Sequence, residues 1–151
     1  MFELQQFTLL VATVGAGLVA GLCYTFASFL MSALDRLGAP DAIRAMQAIN
    51  ARILRSGAML VWFGTALVGA LAAALAEHTA VAVTAAALYV VGAIVVTGRG
   101  NVPLNEQLDR VDPDGPDAEQ AWRRYRRLWG RWNTLRTAAC VLATGGFAAA
   151  L

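Results

Sequence analysis

The chain has 151 residues, 58% of them hydrophobic and 15% charged, with a formal net charge of +2 and a mean hydropathy of +0.57. A soluble domain carries about 25% charged residues, so this composition excludes an ordinary soluble globule, and the small net charge gives no case for a nucleic-acid partner. All 12 basic residues are arginine, and the two cysteines, Cys23 and Cys140, fall inside apolar runs, where they read as small buried hydrophobes rather than a disulfide.

The expected fold is all-α: an integral membrane four-helix bundle, one domain over residues 1–151, with the last helix extended into the cytoplasm. Leu4 to Leu34 holds no charged residue and reads as the first span, about 28 residues if Phe7 opens it. It has no basic stretch before it, unlike a signal peptide. Gly17, Gly21, Tyr24, Ser28 and Ser32 recur at helical steps on it, a small-residue face that predicts close helix packing. The Tyr24 hydroxyl, if buried there, needs a partner.

A polar passage follows from Asp35 to Arg55. Pro40 and Asp41 mark a helix start, and that helix is expected to run unbroken into the second span, Leu54 to Ala76. Gln47, Asn50, Leu54, Gly57, Val61 and Gly64 then share one face. Glu77-His78-Thr79 reads as a tight turn, and Ala80 to Gly98 as the third span. Thr97, Asn101 and Asn105 lie four apart, although Gly98, Gly100 and Pro103 interrupt a regular helix; Asn101 reads equally as the cap of a short helix beginning near Pro103.

Asp109 to Asp117 is turn chemistry throughout, and the last helix begins near Asp117. Its final apolar run, Thr137 to Leu151, has 15 residues, too few to cross alone. Counting back about 20 residues puts Trp132, Asn133 and Arg136 inside the membrane or at its surface. Trp122, Tyr125, Trp129, Trp132/Asn133, Arg136 and Cys140 form one stripe, with Arg123, Arg124, Arg127 and Arg131 pointing away. Trp122 and Tyr125 read as an interfacial aromatic belt. An arginine at membrane depth is costly and marks a site, and Asn133 lies one turn before it.

The passage after the first span holds four arginines and the segment after the third holds the other eight, while the N-terminal tail and the Glu77-His78 turn hold none. The positive-inside rule then predicts an inner-membrane, multi-pass protein with both termini outside. Gln47 with Asn50, Asn101 with Asn105 and Glu106, and Asn133 with Arg136 are all placed at the cytoplasmic end. Together they suggest a pocket for a lipophilic, partly polar molecule. The single histidine, His78, falls on the opposite side, and haem, di-iron and zinc sites each need ligands this chain lacks. No metal and no cofactor are expected.

Met46-Gln-Ala-Ile-Asn50, Asn101-Val-Pro-Leu-Asn105 and Trp129-x-x-Trp132-Asn133-x-x-Arg136 together resemble the anthrone oxygenase-like family of small four-helix membrane proteins. The likeness runs in order along nearly the whole chain. It implies oxidation of a polyketide anthrone to an anthraquinone, without a cofactor, on a lipophilic aromatic substrate. Arg136, Asn133, Asn105 and Asn50 would then stabilise developing negative charge. Trp129 or Trp132 would stack on the polycycle, with Tyr24, Gln47 and Asn101 completing the pocket. Glu106, or less aptly Tyr24, is the nearest base. The alternative is a non-catalytic membrane module that binds a lipid or quinone or serves as a partner subunit. A homo-oligomer is open in either case, and the absence of an inverted repeat disfavours a transporter.

Overall fold

The computed structural model describes residues 2–76 and 80–151, and the turn expected at Glu77-His78-Thr79 lies outside them. All of the regular structure in the described residues is helical. The first rod is α1 (Phe2–Thr25), a π-helical turn over Phe26–Leu30, and α2 (Met31–Asp35). It ends at Gly38, whose φ of +83° is a left-handed conformation that a side chain disfavours. Helix α3 (Ala39–Ile53) starts there with Pro40 in its first turn.

The helix expected to continue unbroken into the second span stops instead at Leu54-Arg55-Ser56. Helix α4 (Gly57–Leu75) starts afresh, with the Ser56 hydroxyl accepting from the Ala58 backbone N–H at 3.2 Å. That bond satisfies one of the orphan donors of a new helix start. Continuous apolar periodicity on either side hides this cap in the sequence.

The third rod behaves in the opposite way. Helix α5 (Ala80–Tyr89), a π-helical stretch over Val90–Asn101 and α6 (Val102–Leu108) are continuous. The glycines and Pro103 do not break the rod; its turns widen to π geometry, and Pro103 sits in the first turn of α6, where its fixed φ suits the helix. Asn101 has helical φ and ψ and its side chain caps nothing, so the capping reading fails. Helix α7 (Ala118–Ala149) is the fourth rod, 32 residues long.

Three stretches, Glu3–Asp35, Gly57–Leu75 and Ala80–Leu108, are long and apolar enough to cross a membrane, and the protein is an all-α helical membrane bundle. Helix α7 packs along α1, α5 and the second π segment, and α1 also packs on α4. One end of the core is mostly small, around Leu9, Ala12, Ala16, Ala85 and Cys140, with Trp62, Tyr89 and Phe147 packed among them. The other, at the arginine-rich end, is aromatic, with Phe26, Trp122, Tyr125 and Trp129 stacked against Ile43, Met46 and Leu108.

Two expected faces are revised. The buried side of α1 is Leu9, Ala12, Ala16, Val19, Cys23 and Phe26, while Gly21, Tyr24, Ser28 and Ser32 are exposed. Both sides of α1 carry small residues, but the close approach is made at Gly15, where a Cβ would run into the Thr65 hydroxyl. Trp122 and Tyr125 are 2% and 4% exposed, not an interfacial belt. The Trp122 indole donates to Asp35 at 2.9 Å and Arg126 pairs with the same carboxylate, tying α7 to the end of α2. Arg123, Arg124, Arg127 and Arg131 are exposed.

Candidate functional site

Where the aromatic core meets the mostly small one, the rods do not close. They leave a cavity of about 310 Å³. The break between α3 and α4 turns Asn50 toward it from one side, and the π segment brings Thr97 and Asn101 to it from another. Helix α7 contributes Trp129 and Arg136, which are seven positions and so nearly two turns apart. Phe26, Met46, Ile49, Met59, Trp62 and Ile94 supply apolar walls.

Arg136 is 7% exposed. It donates to the Thr97 hydroxyl at 3.2 Å and to the Asn133 side-chain oxygen at 2.6 Å. Its guanidinium carbon lies 5.3 Å from the Trp62 ring centroid and 5.5 Å from that of Trp129. No carboxylate pairs with it among the described residues. Trp62 is held in turn: its indole donates to the Ala93 carbonyl at 2.8 Å, and the Tyr89 hydroxyl donates to the Trp62 carbonyl at 2.9 Å.

Buried polar groups are normally paired, because leaving one unpaired costs about 1–3 kcal/mol. Among the described residues the buried side-chain polar atoms without a partner are Asn50 Nδ2, Asn101 Oδ1, Trp129 Nε1 and Arg136 Nε. Each belongs to a residue that borders this cavity. The residues that carry the unpartnered atoms thus all border one lipophilic space.

Asn50, Asn101, Asn105, Trp129 and Arg136 therefore come together around the cavity. Asn105 is partly committed, since its side-chain oxygen accepts from the Tyr125 hydroxyl at 2.9 Å. The other sequence-stated residues lie elsewhere. Asn133, fully buried, is behind Arg136 and outside the lining; it donates to the Cys23 carbonyl at 2.9 Å and holds the guanidinium from the other side. Gln47 donates to the carbonyls of Leu108 and Val111 at 3.0 and 3.1 Å, which locks α3 to the end of α6. Tyr24 is 61% exposed on the outer face of α1. Trp132 is 38% exposed and packs on Gly100 rather than on the cavity. Glu106 is exposed and does not border the cavity, so the one carboxylate suggested as a base is not in place.

Sequence reasoning missed Trp62 and the apolar walls. Trp62 carried a signal: an indole within an apolar span needs a partner for its N–H. Among the described residues no group of three or more His, Cys, Asp and Glu is arranged to hold a metal ion.

With this geometry in hand, a family model described as Anthrone oxygenase matches residues 46–146. That stretch runs from Met46 on α3 through every cavity-lining residue of α4, the third rod and α7. Neither the curated proteins nor the solved structures hold a match to the chain. The chain belongs to the anthrone oxygenase family.

Proposed function

We propose that this family member is a membrane-embedded oxygenase that acts on a lipophilic aromatic substrate of the anthrone type, without a cofactor, inside the cavity around Arg136. The observation that carries this reading is a buried arginine, without a carboxylate partner among the described residues, on the wall of an apolar cavity that Asn50, Asn101 and Trp129 also line. A volume of about 310 Å³ falls at the small end of the range of about 300–1,000 Å³ used for small-molecule ligands.

The chemistry asks little of the protein beyond binding and charge stabilisation. An anthrone is acidic at the methylene opposite its carbonyl, and loss of that proton gives an electron-rich anion that itself reduces oxygen. One oxygen atom forms the new carbonyl, the second leaves with both methylene hydrogens as water, and the carbon is oxidised while dioxygen is reduced. In this reading Arg136, with Trp129 and Asn50 of the same lining, donates to the substrate oxygen that gains charge on deprotonation. A preorganised donor of this kind is worth roughly 3 kcal/mol in the transition state, so two or three supply several powers of ten in rate. Asn133 and Thr97 hold Arg136 for the task.

The site lies at the arginine-rich end, which the positive-inside rule assigns to the cytoplasm. Purified protein in vesicles, given an anthrone in the presence of a strong chelator, is expected to consume one oxygen molecule per anthraquinone formed. A rate no greater than that of protein-free vesicles with bound anthrone would favour a binding module instead, and loss of activity on chelation, restored by one metal, would refute the cofactor-free reaction.

A further inference from the structure

Every exposed residue of the cavity lining belongs to the break before α4, to α4 or to the third rod. Leu54 is 70% exposed, Phe63 56% and Val102 38%, and Gly98 is exposed beside them. All are apolar. The remaining walls are buried or half-buried, and toward the aromatic core the floor is closed by Phe26, Met46 and Trp129, at 6%, 1% and 3% exposed. Leu54 stands in the break before α4, and Phe63 is six residues into that span, roughly 9 Å along its axis. Arg52 and Arg55, both exposed, flank the break and mark the level at which arginines meet headgroups.

We infer that Leu54, Phe63, Gly98 and Val102 frame a lateral portal through which the ligand reaches the cavity from the hydrocarbon of the bilayer, just below the headgroups, and not from the aqueous phase. An apolar rim carries no cost when it faces acyl chains, whereas a water-facing mouth with these residues would expose a bare apolar patch. The route also explains the interruption at Ser56. An unbroken helix through Leu54 would keep backbone where the break leaves a gap, and Gly98 across from it keeps the passage free of a side chain. A Cβ built on Gly98 meets nothing within 4 Å. The portal thus makes membrane partitioning the first step of substrate selection: a molecule that does not dissolve in the bilayer does not reach Arg136.

This inference rests on the same cavity as the oxygenase reading, and its test avoids the chemistry. The probe is bromobenzene, a lipid-soluble quencher of indole fluorescence that needs no polar partner and undergoes no turnover. Its target is the pair of cavity indoles, Trp62 and Trp129. In phosphatidylcholine–phosphatidylglycerol vesicles, a larger side chain at Gly98 is accommodated in open space and blocks the passage. Quenching of the buried indoles in Gly98→Leu is expected to be about tenfold slower than in the parent. Gly21→Leu, equally unobstructed but outside the cavity lining and exposed on the outer face of α1, is expected to match the parent, and Leu54→Ala, which widens the rim, to quench faster. Helical circular dichroism and melting establish that each variant is folded; should Gly98→Leu not fold, Leu54→Ala and Phe63→Ala decide the matter. Equal quenching rates in parent and rim variants would overturn the portal, as would acrylamide, confined to water, reaching these indoles faster than bromobenzene. Failure to oxidise an anthrone would refute the enzymatic reading and leave the quenching result standing.

Discussion

Arg136 is surrounded by two indoles, a threonine and an asparagine, and among the described residues its charge meets no carboxylate. Burying an unpaired ion costs several kcal/mol, so a residue kept there at the expense of stability is kept for something else. The account predicts that Arg136→Met, which fills similar volume without charge, melts at a higher temperature than the parent while losing ligand binding. A fall in melting temperature would make Arg136 a structural residue. The asparagines divide in the same experiment. Asn133→Ala removes bonds to Cys23 and Arg136 and is expected to cost about 1–3 kcal/mol of stability. Asn50→Leu removes an unpartnered amide and is expected to stabilise the fold while weakening binding. The α7 stripe was readable because helical spacing at 129, 133 and 136 shows itself in one dimension. That Asn133 backs the guanidinium while Asn50 borders the cavity was not, because spacing gives the face of a helix and not what lies opposite.

Helix boundaries were legible where composition changes and hidden where it does not. Pro40, the loop after Asp109 and the start of α7 coincide with polar punctuation. The Ser56 cap sits between two apolar periodicities that match in phase, and the π segment replaces a break that Gly98, Gly100 and Pro103 seemed to demand. The packing side of α1 was misjudged for a related reason. Gly17 and Gly21 look like a helix-approach motif, but Gly15 is the residue pressed against Thr65. A bulky side chain at Gly15 has to separate α1 from α4, so Gly15→Val is expected to destabilise by about 1–3 kcal/mol. Gly21→Val, with open space around it, is expected to cost well under that. Equal losses in a denaturant or thermal titration in detergent would show that α1 packs through the other side.

Across the whole molecule, the charge distribution and the cavity point the same way. All 12 arginines lie between Asp35 and Arg55 or between Arg99 and Arg136, so the account places that end in the cytoplasm and both termini outside. A reporter active only outside the cytoplasm, fused after Leu151, is expected to be active, and a cytoplasm-only reporter at the same point to be silent; the reverse would invert the topology. In that orientation the cavity lies at the inner side of the bilayer, within reach of a lipophilic product made or released at the cytoplasmic membrane surface. The central claim is that this cavity, through Arg136, directs oxygen onto a bound anthrone. It is tested most directly by running the reaction under oxygen-18 gas with parent and Arg136→Met proteins of matched fold. The account predicts one labelled atom in the new carbonyl, formed by the parent about 10² to 10³ times faster than by the variant, and labelled product at equal rates from both would contradict it.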